Sequence, residues 1–467
     1  MRRLLLLATA AVLLPACGVF DDDDNDAPAA PADGTALLEV VHASSNAPNV
    51  NLILNGTPLR AGTDVPFKAA LAARVTPDEN SLEVEAIIPG GNSVVIGPAD
   101  LPTPDDTRVT VFAANLVADI EPIVLSAPEA ELGAGEARVR VLHAAPTVTP
   151  VAAMVDIYVT APDADLAGEA PLTTLMFGEA SAEPGAVVPA GDYRIRVTPA
   201  GDDTVVFDSG TVAVAEGADL IVAAVDSTVP GDAPISLLVL DGTGALEILD
   251  SETPSTVRVV HASPDAPNVD VLVDDATPPA IVDLAFGDAT DRIPLPPAEY
   301  NFKVVPTGEA APVVIDEDLG LVAGVEYSVF AAGLLADLGS MEDDALPIGA
   351  LVLTDDDRSV GTEAKLRVVH TSPAAGNVDI YLVEQGADIA DIDPTLADVP
   401  FLANSGYLSV PPGAYDVIVT GAGSKMPAIG PAPVMLDAGG VYTAAARDAD
   451  GGGAPLSLIL LDDFVAP

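Results

Sequence analysis

Val257-Arg258-Val259-Val260-His261-Ala262-Ser263-Pro264-Asp265-Ala266-Pro267-Asn268-Val269-Asp270-Val271-Leu272-Val273 places Val-rich alternation on both sides of a turn. Two prolines and an Asn fix the turn, and the flanking period of two reads as a pair of strands. Successive side chains of a strand point to opposite faces, so His261 shares a face with Val257 and Val259, opposite Arg258 and Val260. The ring is therefore expected at the rim of a core, one nitrogen capping backbone groups of the Pro-rich turn.

The same element occurs four times. Leu38-Glu39-Val40-Val41-His42, Val139-Arg140-Val141-Leu142-His143 and Leu366-Arg367-Val368-Val369-His370 match 257–261, and these are the only four histidines of the 467 residues. They stand 101, 118 and 109 residues apart, long enough for a complete domain each and far too long for a solenoid unit. A second strand follows each turn, with inward faces at Val50, Leu52 and Leu54, at Val155, Ile157 and Val159, and at Val378, Ile380 and Leu382. Three units carry a later turn into a Tyr-headed strand, at Tyr193, Tyr300 and Tyr415, whereas the first has Asn80-Ser81-Leu82. Very apolar strands close the units, as in 235–240, 348–353 and 456–461. With 43 Pro and 39 Gly punctuating short strands, the expectation is four tandem antiparallel β-sandwiches at 36–128, 137–245, 255–356 and 364–465. The joining segments near 129–137, 243–256 and 354–365 are polar or rich in Gly, Asp and Glu, which predicts four independently folding units.

His261-Ala262-Ser263-Pro264-Asp265-Ala266-Pro267-Asn268-Val269-Asp270, with Pro296-Pro297-Ala298-Glu299-Tyr300 after it, resembles the domain of unknown function 4397. The fourth unit follows closely, with Gly376 in place of the second Pro; the second interrupts the turn between Pro146 and Val155, and the first reads Ser44-Ser45-Asn46-Ala47-Pro48-Asn49. The resemblance implies an extracytoplasmic, immunoglobulin-like module, often in tandem, with no established activity.

The N-terminal stretch points to a compartment. Arg2 and Arg3 precede eleven apolar residues, Leu4 to Leu14, too few to span a bilayer. Leu14-Pro15-Ala16-Cys17 resembles the lipobox of a bacterial lipoprotein signal, which implies removal of residues 1–16 and acylation of Cys17, the sole cysteine. Gly18 in place of Asp favours the outer membrane. Residues 17–35, with Asp21 to Asp24, Asp26 and a Pro/Ala run, read as an acidic tether rather than a calcium loop, because the alternating D-x-D-x-D-G pattern is absent.

Charge and motif content narrow the functions. Eighteen Lys and Arg against 71 Asp and Glu give a net charge of −53, which excludes a nucleic-acid partner held by counter-ion release. No nucleophile elbow, phosphate loop or H-E-x-x-H motif occurs, and no histidine is left over for a serine triad. One His per unit falls short of a zinc ligand set. Asp156, Asp270 and Asp379 lie on the outer face of the next strand but Asn51 replaces them in the first unit, so a shared His–Asp dyad is not expected. No catalytic residue, metal ligand or cofactor site is therefore assigned. The chain reads as a membrane-anchored spacer or interaction array of the cell envelope; the alternative is a calcium- or substrate-binding enzyme domain in the first or second unit.

Overall fold

The computed structural model describes residues 34–129, 131–148, 154–342 and 345–462; residues 1–33, which include the stretch read as a signal, Cys17 and most of the stretch read as a tether, lie outside the described residues. The described chain is all-β, its helical pieces being single 3₁₀ turns at Val117–Asp119, Pro146–Val148, Leu335–Asp337 and Pro373–Ala375. Among the described residues no helix is long and apolar enough to cross a membrane.

The first repeat has eight strands: β1 (Ala36–His42), β2 (Val50–Leu54), β3 (Thr57–Pro58), β4 (Ala70–Val75), β5 (Asp78–Ala86), β6 (Ser93–Thr103), β7 (Thr107–Ala114) and β8 (Glu121–Pro128). They form two sheets, ordered β4-β1-β7-β8 and β3-β2-β5-β6. The same order recurs at 136–240, 255–355 and 364–462, and the second repeat adds Ala245–Ile248 as a fifth edge strand. Sandwich packing follows from the alternation: Leu38, Val40, Leu52, Val84, Val109 and Val111 meet between the sheets of repeat 1. One feature goes beyond purely antiparallel sheets. The His-bearing strand lies parallel to the seventh strand in every repeat, as Leu37–His42 does against Arg108–Ala113.

The four sandwiches are packed in pairs. The described chain divides into two compact units, chiefly between Glu252 and Thr253, with two sandwiches in each. In the first unit the other face of β1 is buried too: Val41, Phe112 and Leu125 of repeat 1 pack on Leu142, Ile221, Leu238 and Leu240 of repeat 2. In the second, Val260 and Phe330 of repeat 3 meet Val369, Ile459 and Leu461 of repeat 4. Each fully buried Leu, Ile or Phe contributes about 1.5–3 kcal/mol, so neither repeat of a pair can leave the other without a large apolar cost.

Arginines three residues before the histidines rim these interfaces in a twofold-like exchange. Arg258 of repeat 3 pairs with Asp462 at the end of repeat 4 (Nη1–Oδ1 2.5 Å), and Arg367 of repeat 4 pairs with Asp355 at the end of repeat 3 (Nη2–Oδ1 2.7 Å). In the first unit Arg140 donates to the Ser126 carbonyl at 2.9 Å. Glu39 takes the corresponding place in repeat 1 and holds Arg108 at 2.6 Å, whose guanidinium reaches the Leu240 carbonyl at 3.2 Å. The polar joining segment at 354–365 thus contains Asp355, whose side chain is fully buried.

Candidate functional site

The four histidines sit in one repeated bracket. Each strand end places its ring on the side of its own repeat's core, and the rings are buried. Nδ1 accepts a backbone N–H two residues on, from Ser44 (3.4 Å), Ala145 (3.4 Å), Ser263 (3.4 Å) and Ser372 (3.3 Å). Nε2 therefore carries the proton, which it donates to the carbonyl six residues on, at Pro48 (3.0 Å), Pro267 (3.0 Å) and Gly376 (2.7 Å). His143 has no Nε2 partner among the described residues, in the repeat whose turn carries the insertion. Burial holds the His143, His261 and His370 rings below the usual histidine range; nearby carboxylates, and for His261 and His370 the turn carbonyl, pull only partly the other way. With both nitrogens engaged, the ring in repeats 1, 3 and 4 has no lone pair or proton to offer a substrate or metal.

A phenylalanine completes the bracket and escaped the sequence reading. Phe67, Phe177, Phe286 and Phe401 meet the rings edge-on at centroid distances of 5.9, 6.3, 6.0 and 6.2 Å. The residue after each Phe donates its N–H to the histidine carbonyl at 2.8 Å in all four repeats. That residue is left-handed, with φ between 67° and 88°, which suits Gly178 and Gly287 and is borne by Lys68 and Leu402. The signal was a second recurring string, Phe before a turn, hidden by its variable separation from the histidine.

The Asn-Val-Asp of the motif is a staple. Asn49, Asn268 and Asn377 donate to the carboxylates of Asp64, Asp283 and Asp398 at 2.9, 2.8 and 2.8 Å, and all three Asp residues are left-handed. Asp270 accepts the Asp283 N–H at 2.9 Å and the Gly308 N–H at 3.0 Å; Asp379 accepts those of Asp398 and Gly423, both at 2.8 Å. Asn51 performs half of this task, taking the Asp64 N–H at 3.2 Å. Asp156 holds the Gly201 N–H at 2.9 Å and the Thr174 hydroxyl. Asp265 in the turn accepts from Leu335 and Ala336 at 2.7 and 2.8 Å, capping the 3₁₀ turn there. The structure therefore brings each His near its turn and each Asp near a loop, and does not join them into a dyad. Among the described residues no group of three or more His, Cys, Asp or Glu is placed to hold a metal ion.

Comparison with known proteins agrees with this layout. The profile of the family "Domain of unknown function (DUF4397)" matches residues 36–158 and 255–381, together more than half of the chain. Each match runs through one repeat into the His-bearing and second strands of the next. No curated protein matches. Among solved structures, a leucine-rich repeat protein from Bacteroides thetaiotaomicron aligns at 12% identity over 42% of this chain and 26% of its own, about a quarter of its length, with a TM-score of 0.14, and carries no argument.

Proposed function

The chain belongs to the family Domain of unknown function (DUF4397), and on that premise we propose that it is a lipid-anchored cell-envelope protein whose paired β-sandwiches serve as a spacer and interaction array without catalysis of their own. One observation carries the reading: in repeats 1, 3 and 4 the chemically able residues of the repeated motif are consumed by turns inside their own repeat, while the opposite sheet face is consumed by pairing. Such residues specify shape, not turnover. Anchoring is supported by Leu14-Pro15-Ala16-Cys17, and Gly18 favours the outer membrane. Two acyl chains or more hold a protein stably where one is marginal, so acylation at both the sulfur and the new amino group of Cys17 would suffice.

Labelling with an alkyne fatty acid tests the anchor: wild-type protein should take the label and Cys17→Ala should remain an unlabelled, unprocessed precursor. Unchanged processing and membrane retention of Cys17→Ala would overturn it. The array role is tested by capture of envelope proteins on soluble residues 36–467, with reproducible partners expected; turnover of a substrate by that same protein would overturn the non-catalytic reading.

A further inference from the structure

Arg140 and Arg367 hold the same place in repeats 2 and 4, three residues before His143 and His370, and both reach across to the repeat before them. Arg367 uses its whole guanidinium: Nη1 donates to the Thr354 carbonyl at 3.2 Å, Nε to the Thr443 hydroxyl at 3.3 Å, and Nη2 pairs with Asp355 at 2.7 Å. Arg140 keeps only the first of these, donating Nη1 to the Ser126 carbonyl at 2.9 Å. Ile221 lies beside it where Thr443 lies beside Arg367. Ala127 stands where repeat 3 has Asp355: Leu125 and Leu353 face Thr110 and Ser328, the partners of Glu39 and Arg258, and Ala127 and Asp355 follow two residues later. The Nε–Nη2 edge of Arg140 is thus without a partner among the described residues, and its Nε is buried. That edge is the fork that grips a carboxylate, as Arg138 does when it holds both oxygens of Asp219 at 2.7 and 2.6 Å.

A pocket opens where the two side chains differ. Ala127 and Ile221 line it together with Arg108, Arg138, Arg140 and Asp219, around about 240 Å³ of free space that is partly open to solvent. Its charges do not balance. Glu39 engages Arg108 and Asp219 engages Arg138, but no carboxylate among the described residues closes an ion pair with Arg140. Burial lowers the Arg140 pKa from the usual arginine value; the exposed Glu183 pulls it back only in part, and Arg138 adds to the lowering. A partly buried guanidinium with an unpartnered fork is costly, and one anion seated on that fork relieves the cost. One spare positive charge and the room of one carboxylate select a small monoanion over a dianion or a larger acid.

We propose that this pocket binds one small monovalent anion, of chloride or formate size, on the Nε–Nη2 edge of Arg140, in the place that the Asp355 carboxylate takes beside Arg367. Scanning calorimetry of the full chain at constant pH and ionic strength tests it, with sodium gluconate, whose anion is too large for the pocket, replaced stepwise by sodium chloride or sodium formate. The melting transition of the first unit, the one that Asp355→Ala leaves in place, should rise by about 3–5 °C for each tenfold step in anion concentration above the dissociation constant. The second unit carries its own carboxylate at the equivalent place, so its transition should not follow. Arg140→Gln should lose the response. Ala127→Asp supplies the anion from the chain, and should raise the first transition in gluconate and lose the response to chloride and formate. Either variant serves if the other does not fold, and if the two units melt together the loss against wild type decides in the same way. An equal response of both transitions, or one that persists in the variants, would be a general salt effect and would overturn the proposal. Equal melting in gluconate, chloride and formate would mean that water satisfies Arg140, and would overturn it as well.

Discussion

His261 gives its Nε2 proton to the Pro267 carbonyl and takes the Ser263 N–H on Nδ1, so removing the ring orphans a buried acceptor and a buried donor together. His261→Ala should cost about 1–3 kcal/mol in urea unfolding of the second unit. The same residue carries a pH signature. His143, His261 and His370 are held below the ordinary 6.5, so the unfolded chain takes up protons first as pH falls past that value. Their contribution is complete above about pH 6.5 and is lost as pH drops toward the folded values. Asp357 runs the other way. Burial pushes it up to about 7 against the pull of Arg292, with Glu326 and Asp462 raising it further, so its contribution declines as pH rises from the ordinary 3.8 toward 7. Because the two signs overlap in the second unit, the difference between wild type and His261→Ala is the informative quantity. That gap should narrow between pH 7 and pH 5; a constant gap would mean burial does not hold the ring below its ordinary value, and a widening gap would mean the ring is charged in the fold.

Strands and turns were legible in the sequence because their signals are local: Val alternation at 257–261 and 269–273, and Pro and Asn between them. Pairing was not, because it joins segments about a hundred residues apart and hides in the parity that reads as solvent-facing. Val260 and Arg258 share that parity, and the arginine suggested water where the structure has Asp462. A local hint lay in the closing strands, such as Leu237-Leu238-Val239-Leu240 and Leu458-Ile459-Leu460-Leu461, apolar on both parities as strands buried on both faces are. The Asn-Val-Asp string was visible as a motif, but its targets Asp283 and Asp398 lie in loops of different length and could not be matched without coordinates. At this scale the sharpest test is Asp355, fully buried and ringed by Arg258, Arg292 and Arg367, with the Ser328 hydroxyl at 2.6 Å. Burial raises its pKa, but the arginines more than reverse this and keep it below the usual carboxylate range. Asp355→Ala strands those guanidiniums without their shared anion, and breaking a buried pair in this way costs about 3–5 kcal/mol. Urea unfolding should show the loss in the second unit and leave the first unchanged.

Over the whole chain, paired repeats imply two cooperative transitions in calorimetry where independent repeats would give four. Residues 253–462 expressed alone should melt as one unit, whereas 255–356 alone would expose Val260 and Phe330 and should aggregate or self-associate; a soluble monomeric 255–356 with a sharp transition would contradict the pairing. Charge acts on both units at once. With 18 cationic side chains against 71 acidic ones, most carboxylates have no cation to meet, and the few exposed pairs, such as Lys303–Asp275 at 2.7 Å, add little. Uncompensated carboxylates repel more in the compact state than in the expanded one, and the repulsion reaches ~30 Å at 0.01 M salt but ~8 Å at 0.15 M. Buried groups such as Asp355 and Arg367 are screened far less, so added salt relieves the repulsion while leaving the pair interfaces intact. Both melting transitions should therefore rise from 0.01 to 0.15 M sodium chloride. Calcium at equal ionic strength should raise them no further, since a diffuse acidic surface answers to screening whereas an oxygen-lined loop answers to the ion itself. A melting temperature that falls with salt would mean attraction between surface charges outweighs repulsion, and a selective response to calcium would reveal a cation site that the repeated motif does not encode.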